Sequence, residues 1–146
     1  MNFKDESGSL TLNTSQIYIE NKKLNIGINL RIPVNTPIDY IIQRFENIFG
    51  KEKVSVIGRL EPLYIDKQNE LVTKLTNIFN KTCSTDFKPL AIGGATYARA
   101  FKNCISFGMN FPGDKDMCHQ VDEFIDIDKL ILSTDIYAKA IYELLN

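Results

Sequence analysis

Tryptophan is absent from the 146 residues, histidine occurs once, at His119, and the three cysteines, Cys83, Cys104 and Cys118, include no pair at CxxC spacing. An odd, unpaired cysteine set gives neither a closed disulfide framework nor a cysteine zinc knuckle, and it fits reduced thiols in a cytoplasmic protein. A single histidine rules out any mechanism that draws two imidazoles from one copy of the chain. Charge of one sign is also missing: 17 Lys and Arg stand against 18 Asp and Glu, for a formal net charge of -1. Both signs are scattered, so the concentrated basic surface that nucleic acid or an anionic membrane requires is not there. No apolar run approaches the roughly 20 residues needed to cross a bilayer, and the opening MNFKDESGSL lacks the apolar stretch of a leader. The expectation is a soluble chain with neither a nucleic-acid nor a membrane partner.

What is present is enough apolar residue, 44% with 10% aromatic, to bury one respectable core or two small ones. Leu24, Ile26, Ile28, Leu30 and Ile32 alternate with Asn25, Gly27, Asn29 and Arg31, the period of a strand buried on one face. Leu10, Leu12, Ile17 and Ile19 suggest one strand or two short ones before it, with Glu20 to Lys23 as the hairpin turn. Thr36-Pro37 reads as a capping hydroxyl and a first-turn proline, opening a helix that carries Ile38, Ile41, Ile42, Phe45, Ile48 and Phe49 and stops at Gly50. Val54 to Ile57 follows as a short strand. Strand, strand, helix, strand is the later part of a split βαβ sandwich.

Glu61-Pro62-Leu63 marks a change of composition, read as a domain crossing. Beyond it, Leu71, Leu75, Ile78 and Phe79 predict a helix over 67–81, and short strands are expected at Leu90 to Ile92 and Cys104 to Phe107. The final helix should begin with Asp126 as cap and bury Ile127, Leu130, Ile131, Thr134, Tyr137, Ala138, Ile141 and Leu145. The fold class is therefore mixed α/β (α+β), with residues 1–60 as one domain and 61–146 as the other.

Three places could carry chemistry. His119 lies in a polar loop, where an imidazole can ligate zinc or simply face solvent. Gly93-Gly94-Ala95-Thr96-Tyr97-Ala98-Arg99 combines paired glycines, a hydroxyl and a guanidinium, which suit a carboxylate as well as they suit an ordinary tight turn. The spacing is not that of a phosphate loop or a dinucleotide fingerprint. Arg31 sits on the polar side of its strand and could serve only to keep that face wet. Cys118 adjoins His119, but neighbours on an extended loop point apart and make a poor nucleophile and base. The acidic residues from Asp114 to Asp128 miss the spacing of a calcium loop.

The order of these pieces resembles the C-terminal region of the zinc-dependent dipeptidases of the peptidase V and carnosinase kind. The resemblance runs from Leu30-Arg31-Ile32-Pro33 through Glu61-Pro62 and Gly93-Gly94-Ala95-Thr96-Tyr97-Ala98-Arg99-Ala100. It continues in Phe107-Gly108, Phe111-Pro112-Gly113, His119-Gln120, Asp122-Glu123-Phe124-Ile125 and Ala138-Lys139-Ala140-Ile141-Tyr142-Glu143-Leu144. It implies a partial ferredoxin-like lid (ββαβ) over 1–60, then the C-terminal part of an α/β/α catalytic domain. It also implies hydrolysis of short peptides with a free C-terminal carboxylate, by two zinc ions that activate water with a glutamate as base. Under it His119 matches a zinc ligand, Arg31 a lid arginine reaching the substrate, and Gly93, Gly94, Thr96 and Arg99 the loop that receives the carboxylate.

The remaining ligands of that family, a His-x-Asp motif, a bridging aspartate, a Glu-Glu pair and a further aspartate, have no counterpart in the chain. A catalytic zinc needs about three protein ligands. The expectation is a fragment, inactive alone, whose partners are a short peptide and the N-terminal catalytic portion. Two other readings stand beside it: a fragment of an acyl-amino-acid deacylase, which also meets a free carboxylate, and a non-catalytic binding or assembly module. Apolar surface left uncovered predicts self-association into a homo-oligomer.

Overall fold

The computed structural model describes residues 3–108 and 110–146 and divides into two compact units. One comprises Met1–Tyr64 with Leu90–Gly94, the other Ile65–Pro89 with Ala95–Asn146. The mixed α/β class expected from the residue pattern is what forms, with two small antiparallel sheets and three α-helices among the described residues.

The first unit opens with a minimal hairpin, β1 (Lys4–Asp5) against β2 (Gly8–Ser9). Its turn is tied to the far end of the main ribbon: Asn35 N–H donates to Asp5 Oδ2 at 2.7 Å and Val34 N–H to Ser7 Oγ at 3.0 Å. The main ribbon pairs β3 (Thr11–Glu20) with β4 (Lys23–Arg31). Asn21 and Lys22 alone make the turn, both at positive φ (50° and 60°), as the tight hairpin turns that match strand twist require.

The strand expected from the alternation forms as β4, but the face expected to be buried stays open: Leu24, Ile26 and Ile28 are exposed and only Leu30 is half-buried, because no other element covers that end of the ribbon among the described residues. The register of β3 explains why its own pattern was harder to read. Leu12 is opposite Leu30, while Ile17 and Ile19 are opposite Ile26 and Leu24, with a bulge between Thr14 and Gln16. The extra residue, Ser15, changes the parity, so an even-numbered leucine and two odd-numbered isoleucines share one face with Leu24, Ile26, Ile28 and Leu30.

Helix α1 (Ile38–Phe49) has Pro37 itself at the N-cap, one residue later in role than expected, and no side chain caps it. It ends at Gly50, whose φ of 96° suits a residue without Cβ and whose N–H returns to Glu46 O at 2.8 Å. Ile41 is the buried residue of this helix, worth about 1.5–3 kcal/mol of apolar burial. Around it, Phe3, Leu10, Leu12, Leu30, Phe45 and Ile48 line an open apolar pocket of about 180 Å³. The strand expected at Val54 to Ile57 does not form, nor do those at Leu90 to Ile92 and Cys104 to Phe107. A strand exists only through its ladder, and none of these three segments finds a partner strand among the described residues.

The second unit is held by α2 (Glu70–Cys83) and α3 (Ile127–Leu145). Asn69 caps α2 by accepting Leu71 N–H at 2.9 Å, so the helix starts three residues later than its apolar spacing suggested. Val72 and Leu75 of α2, Ile136 and Ala140 of α3, and Ala98 form the buried core. Asp126 caps α3 as expected, accepting from Asp128 N–H and Lys129 N–H. The buried stripe of α3 differs from the expected one: Ser133, Ile136 and Ala140 go in, whereas Ile127, Leu130, Ile131, Ile141 and Leu145 are exposed. The helix is apolar on more than one side, and α2 covers only one of them. Ser133 is buried without penalty because its hydroxyl donates to Lys129 O at 2.7 Å.

Candidate functional site

Of the six residues singled out for chemistry, Arg31, Gly93 and Gly94 belong to the first unit and Thr96, Arg99 and His119 to the second. Arg31 is the last residue of β4, exposed, and its Nη1 donates to the carbonyl oxygen of Gly93, 62 residues further on. The structure thus unites two residues that the sequence offered separately.

The glycine pair is not symmetrical. A Cβ on Gly93 would lie 2.9 Å from Arg31 Cδ and 3.1 Å from Nη1, so the exposed end of that arginine would have to shift. A Cβ on Gly94 would meet nothing nearer than Ile92 Cδ1 at 3.9 Å, an ordinary contact. Neither glycine is required by a positive φ. At Gly93 the missing Cβ leaves the room that the arginine of its own chain occupies.

In the second unit Thr96 is half-buried at the start of a single 3-10 turn, Tyr97–Ala100, in which Ala98 is buried and Arg99 half-buried. Arg99 N–H donates to Thr96 O at 3.2 Å, closing the turn. The Thr96 hydroxyl does not cap that turn; it accepts from Ser106 Oγ at 2.6 Å. Ser106 is a functional candidate that no local pattern in the sequence could have raised, because the pair is ten residues apart across a bend. Its segment is fixed in turn by Tyr137, whose hydroxyl donates to Phe107 O at 3.0 Å and whose ring meets Phe107 edge-on at 5.9 Å.

The His119 loop is fixed at both ends. Phe111 stacks on Phe79 of α2 at 5.8 Å, and Asp126 caps α3 at the other end. Between them Asp114 pairs with Lys129, and Asp116 Oδ1 accepts Cys118 N–H at 3.1 Å. The backbone and thiol of Cys118 hold the Asp116 carboxyl below the usual carboxylate range, helped last by the charge of His119. His119 itself is exposed, sits in the left-handed region (φ 61°), and donates its backbone N–H to Glu123 Oε2 at 3.3 Å. Among the described residues no three His, Cys, Asp or Glu side chains converge. His119 can offer one ligand, and the residues present do not build the two-zinc centre that the resemblance implies.

The model of peptidase family M20/M25/M40 matches residues 6–143. The chain belongs to that family. Its relatives include the Bacillus subtilis (strain 168) protein named "Putative dipeptidase YtjP", 37% identical over 139 residues, which cover 94% of this chain and 30% of the relative. Another is the Staphylococcus aureus (strain USA300) protein named "Putative dipeptidase SAUSA300_1697", 34% identical over 143 residues, 96% of this chain and 30% of that one. The chain spans about 30% of the length of the relatives it matches. No helix among the described residues is long and apolar enough to cross a membrane.

Proposed function

We propose that this chain is the C-terminal part of a cytoplasmic zinc-dependent dipeptidase of the peptidase V and carnosinase kind. In this reading residues 1–60 belong to its lid and 61–146 to its catalytic domain. The observation that carries the reading is the family match over 6–143 together with relatives named as dipeptidases along almost the whole chain. The chain's own part is substrate reception. Arg31, the backbone of Gly93 and Gly94, Thr96 and Arg99 bind the free carboxylate of a short peptide, guanidinium and hydroxyl donors being the groups that recognise a carboxylate. His119 supplies one ligand to a metal whose other ligands belong to the N-terminal catalytic portion.

Two measurements test this. Zinc titration followed by calorimetry, and a dipeptide hydrolysis assay on the 146-residue chain, should both be negative, because one imidazole does not make a zinc site. Tight zinc binding or turnover by the chain alone would overturn the fragment reading. Mixing the chain with the N-terminal portion of a relative should restore hydrolysis of dipeptides in preference to N-acyl amino acids. Preference for the acyl amino acid would make the parent a deacylase, and no hydrolysis of either would make this a binding module.

A further inference from the structure

Arg31 and Gly93 meet in a way that carries more than a hydrogen bond. A guanidinium is planar and has two distinct sides. Nη1 lies on the Cδ side, while the Nε–H and an N–H of Nη2 run parallel on the opposite side, forming the fork that takes a carboxylate in two bonds. A Cβ added to Gly93 would come nearest to Cδ (2.9 Å), then Nη1 (3.1 Å), with Nε further off at 3.7 Å. Gly93 therefore lies against the Cδ and Nη1 side, and it is Nη1 that donates to its carbonyl. This is the one hydrogen bond of Arg31 among the described residues, so Nε and Nη2 keep their donors.

We propose that Gly93 is a positioning residue for Arg31: its carbonyl and its missing side chain together hold the guanidinium by one side, so that the Nε and Nη2 fork is presented to a carboxylate. This rests on the reading of Arg31 as a carboxylate receiver and adds how the receiver is oriented. Holding a long, exposed side chain in one rotamer before the ligand arrives removes its ordering cost from the binding step. A methyl group on Gly93 would displace the flexible end of Arg31, whereas one on its neighbour Gly94 would displace nothing.

That asymmetry supplies the test. Gly93→Ala and Gly94→Ala add the same methyl group to adjacent positions, with a close contact to Arg31 only in the first. The readout is the Arg31 Nε–H signal in nitrogen-15 NMR of the full 146-residue chain, with its rate of exchange with water, first without ligand. Gly93→Ala should shift that signal and speed its exchange at least several-fold, and Gly94→Ala should leave both at the wild-type values. Equal effects of the two substitutions, or none from Gly93→Ala, would overturn the proposal. If Gly93→Ala does not fold, Arg31→Lys replaces it. An ammonium has no second edge to present, so the Gly93 amide signal should move while the rest of the spectrum is retained, and an unmoved Gly93 amide would overturn the proposal.

Titration with alanyl-glycine then separates this inference from the function on which it rests. The dipeptide should shift the Arg31 Nε–H signal in wild type and Gly94→Ala, and at least threefold less at equal concentration in Gly93→Ala. If the ligand-free difference is seen and the dipeptide shifts nothing in any variant, the holding of Arg31 by Gly93 stands and its carboxylate role falls, which overturns the function on which the proposal rests and not the positioning.

Discussion

The hydroxyls of Ser106 and Thr96 lie 2.6 Å apart, with Ser106 donating, which leaves the Thr96 proton to be given to another group. For a carboxylate receiver that is the useful polarity. Replacing Ser106 by alanine should therefore act on binding before it acts on stability. If the proposed dipeptidase function holds, Ser106→Ala in the chain recombined with an N-terminal catalytic portion should raise KM for a dipeptide about three- to fivefold, the equivalent of about 1 kcal/mol for one hydrogen bond, with kcat little changed. The melting point should stay near wild type because Ser106 is exposed. Steady-state kinetics decide it: an unchanged KM would detach Ser106 from the site, and Ser106→Thr should restore the wild-type value.

Asp5 gives a prediction in pH. The Ser7 hydroxyl, the Asn35 N–H and the Ser7 N–H all donate to its carboxylate and hold it below the ordinary value of 3.8. The unfolded chain then binds a proton at higher pH than the native one, so stability rises with pH across that window. The contribution is present above the ordinary carboxylate pKa and is lost as pH falls through the lower native value. A carbon-13 titration of the Asp5 carboxyl should give a midpoint below 3.8, and Asp5→Asn should remove the corresponding part of the acid dependence of unfolding. A midpoint at or above 3.8 would show that the link between the small hairpin and the end of β4 is not maintained in solution.

Elements whose signal is local were legible in the sequence, and those decided at a distance were not. The strand at β4, the glycine stop of α1 and the Asp126 cap of α3 each depend on neighbours a few residues away, and each forms, although the apolar face of β4 is exposed where burial was expected. The β3 pattern was obscured because Ser15 bulges and changes parity midway. Three short apolar runs, at Val54, Leu90 and Cys104, have the composition of strands but no pairing partner among the described residues, and propensity alone does not make a ladder. On α3 two apolar stripes compete, and hydropathy cannot say which one α2 will cover. Arg31 and Gly93 were each visible as a type of residue suited to a carboxylate. Their union across 62 positions, and that of Ser106 with Thr96, belong to the tertiary structure alone.

The hairpin turn offers a gain in stability. Lys22 has φ 60°, a conformation in which a side chain with Cβ is disfavoured and glycine is not. Lys22→Gly would create the Asn-Gly pair that two-residue turns prefer. It should stabilise the chain by about 0.5 kcal/mol, up to about 1 kcal/mol, less than the full torsional relief because glycine also gains freedom in the unfolded state. Urea unfolding should show a higher midpoint with an unchanged slope. A lower midpoint would mean that the lysine side chain contributes more than its backbone costs.

Beyond the reach of α1, the shared face of the β3 and β4 ribbon carries Ile17, Ile19, Leu24 and Ile26 at relative exposures of 67%, 77%, 64% and 53%. These side chains are adjacent by register, Ile17 opposite Ile26 and Ile19 opposite Leu24, so they form one continuous patch instead of isolated apolar residues. Among the described residues the ribbon is also two strands wide, and each strand has an outer edge without a ladder. Both features drive association, but they respond to different substitutions. Ile17→Thr with Ile26→Thr removes apolar area at one cross-strand pair and keeps the β-branched shape that the strand favours. If the patch dominates, sedimentation velocity of the chain should show concentration-dependent self-association at tens of micromolar, and the double variant should raise the concentration needed at least tenfold without lowering the urea midpoint. If the edges dominate, the double variant should associate as the wild type does, whereas a proline on the outer, unpaired side of β3 should suppress it.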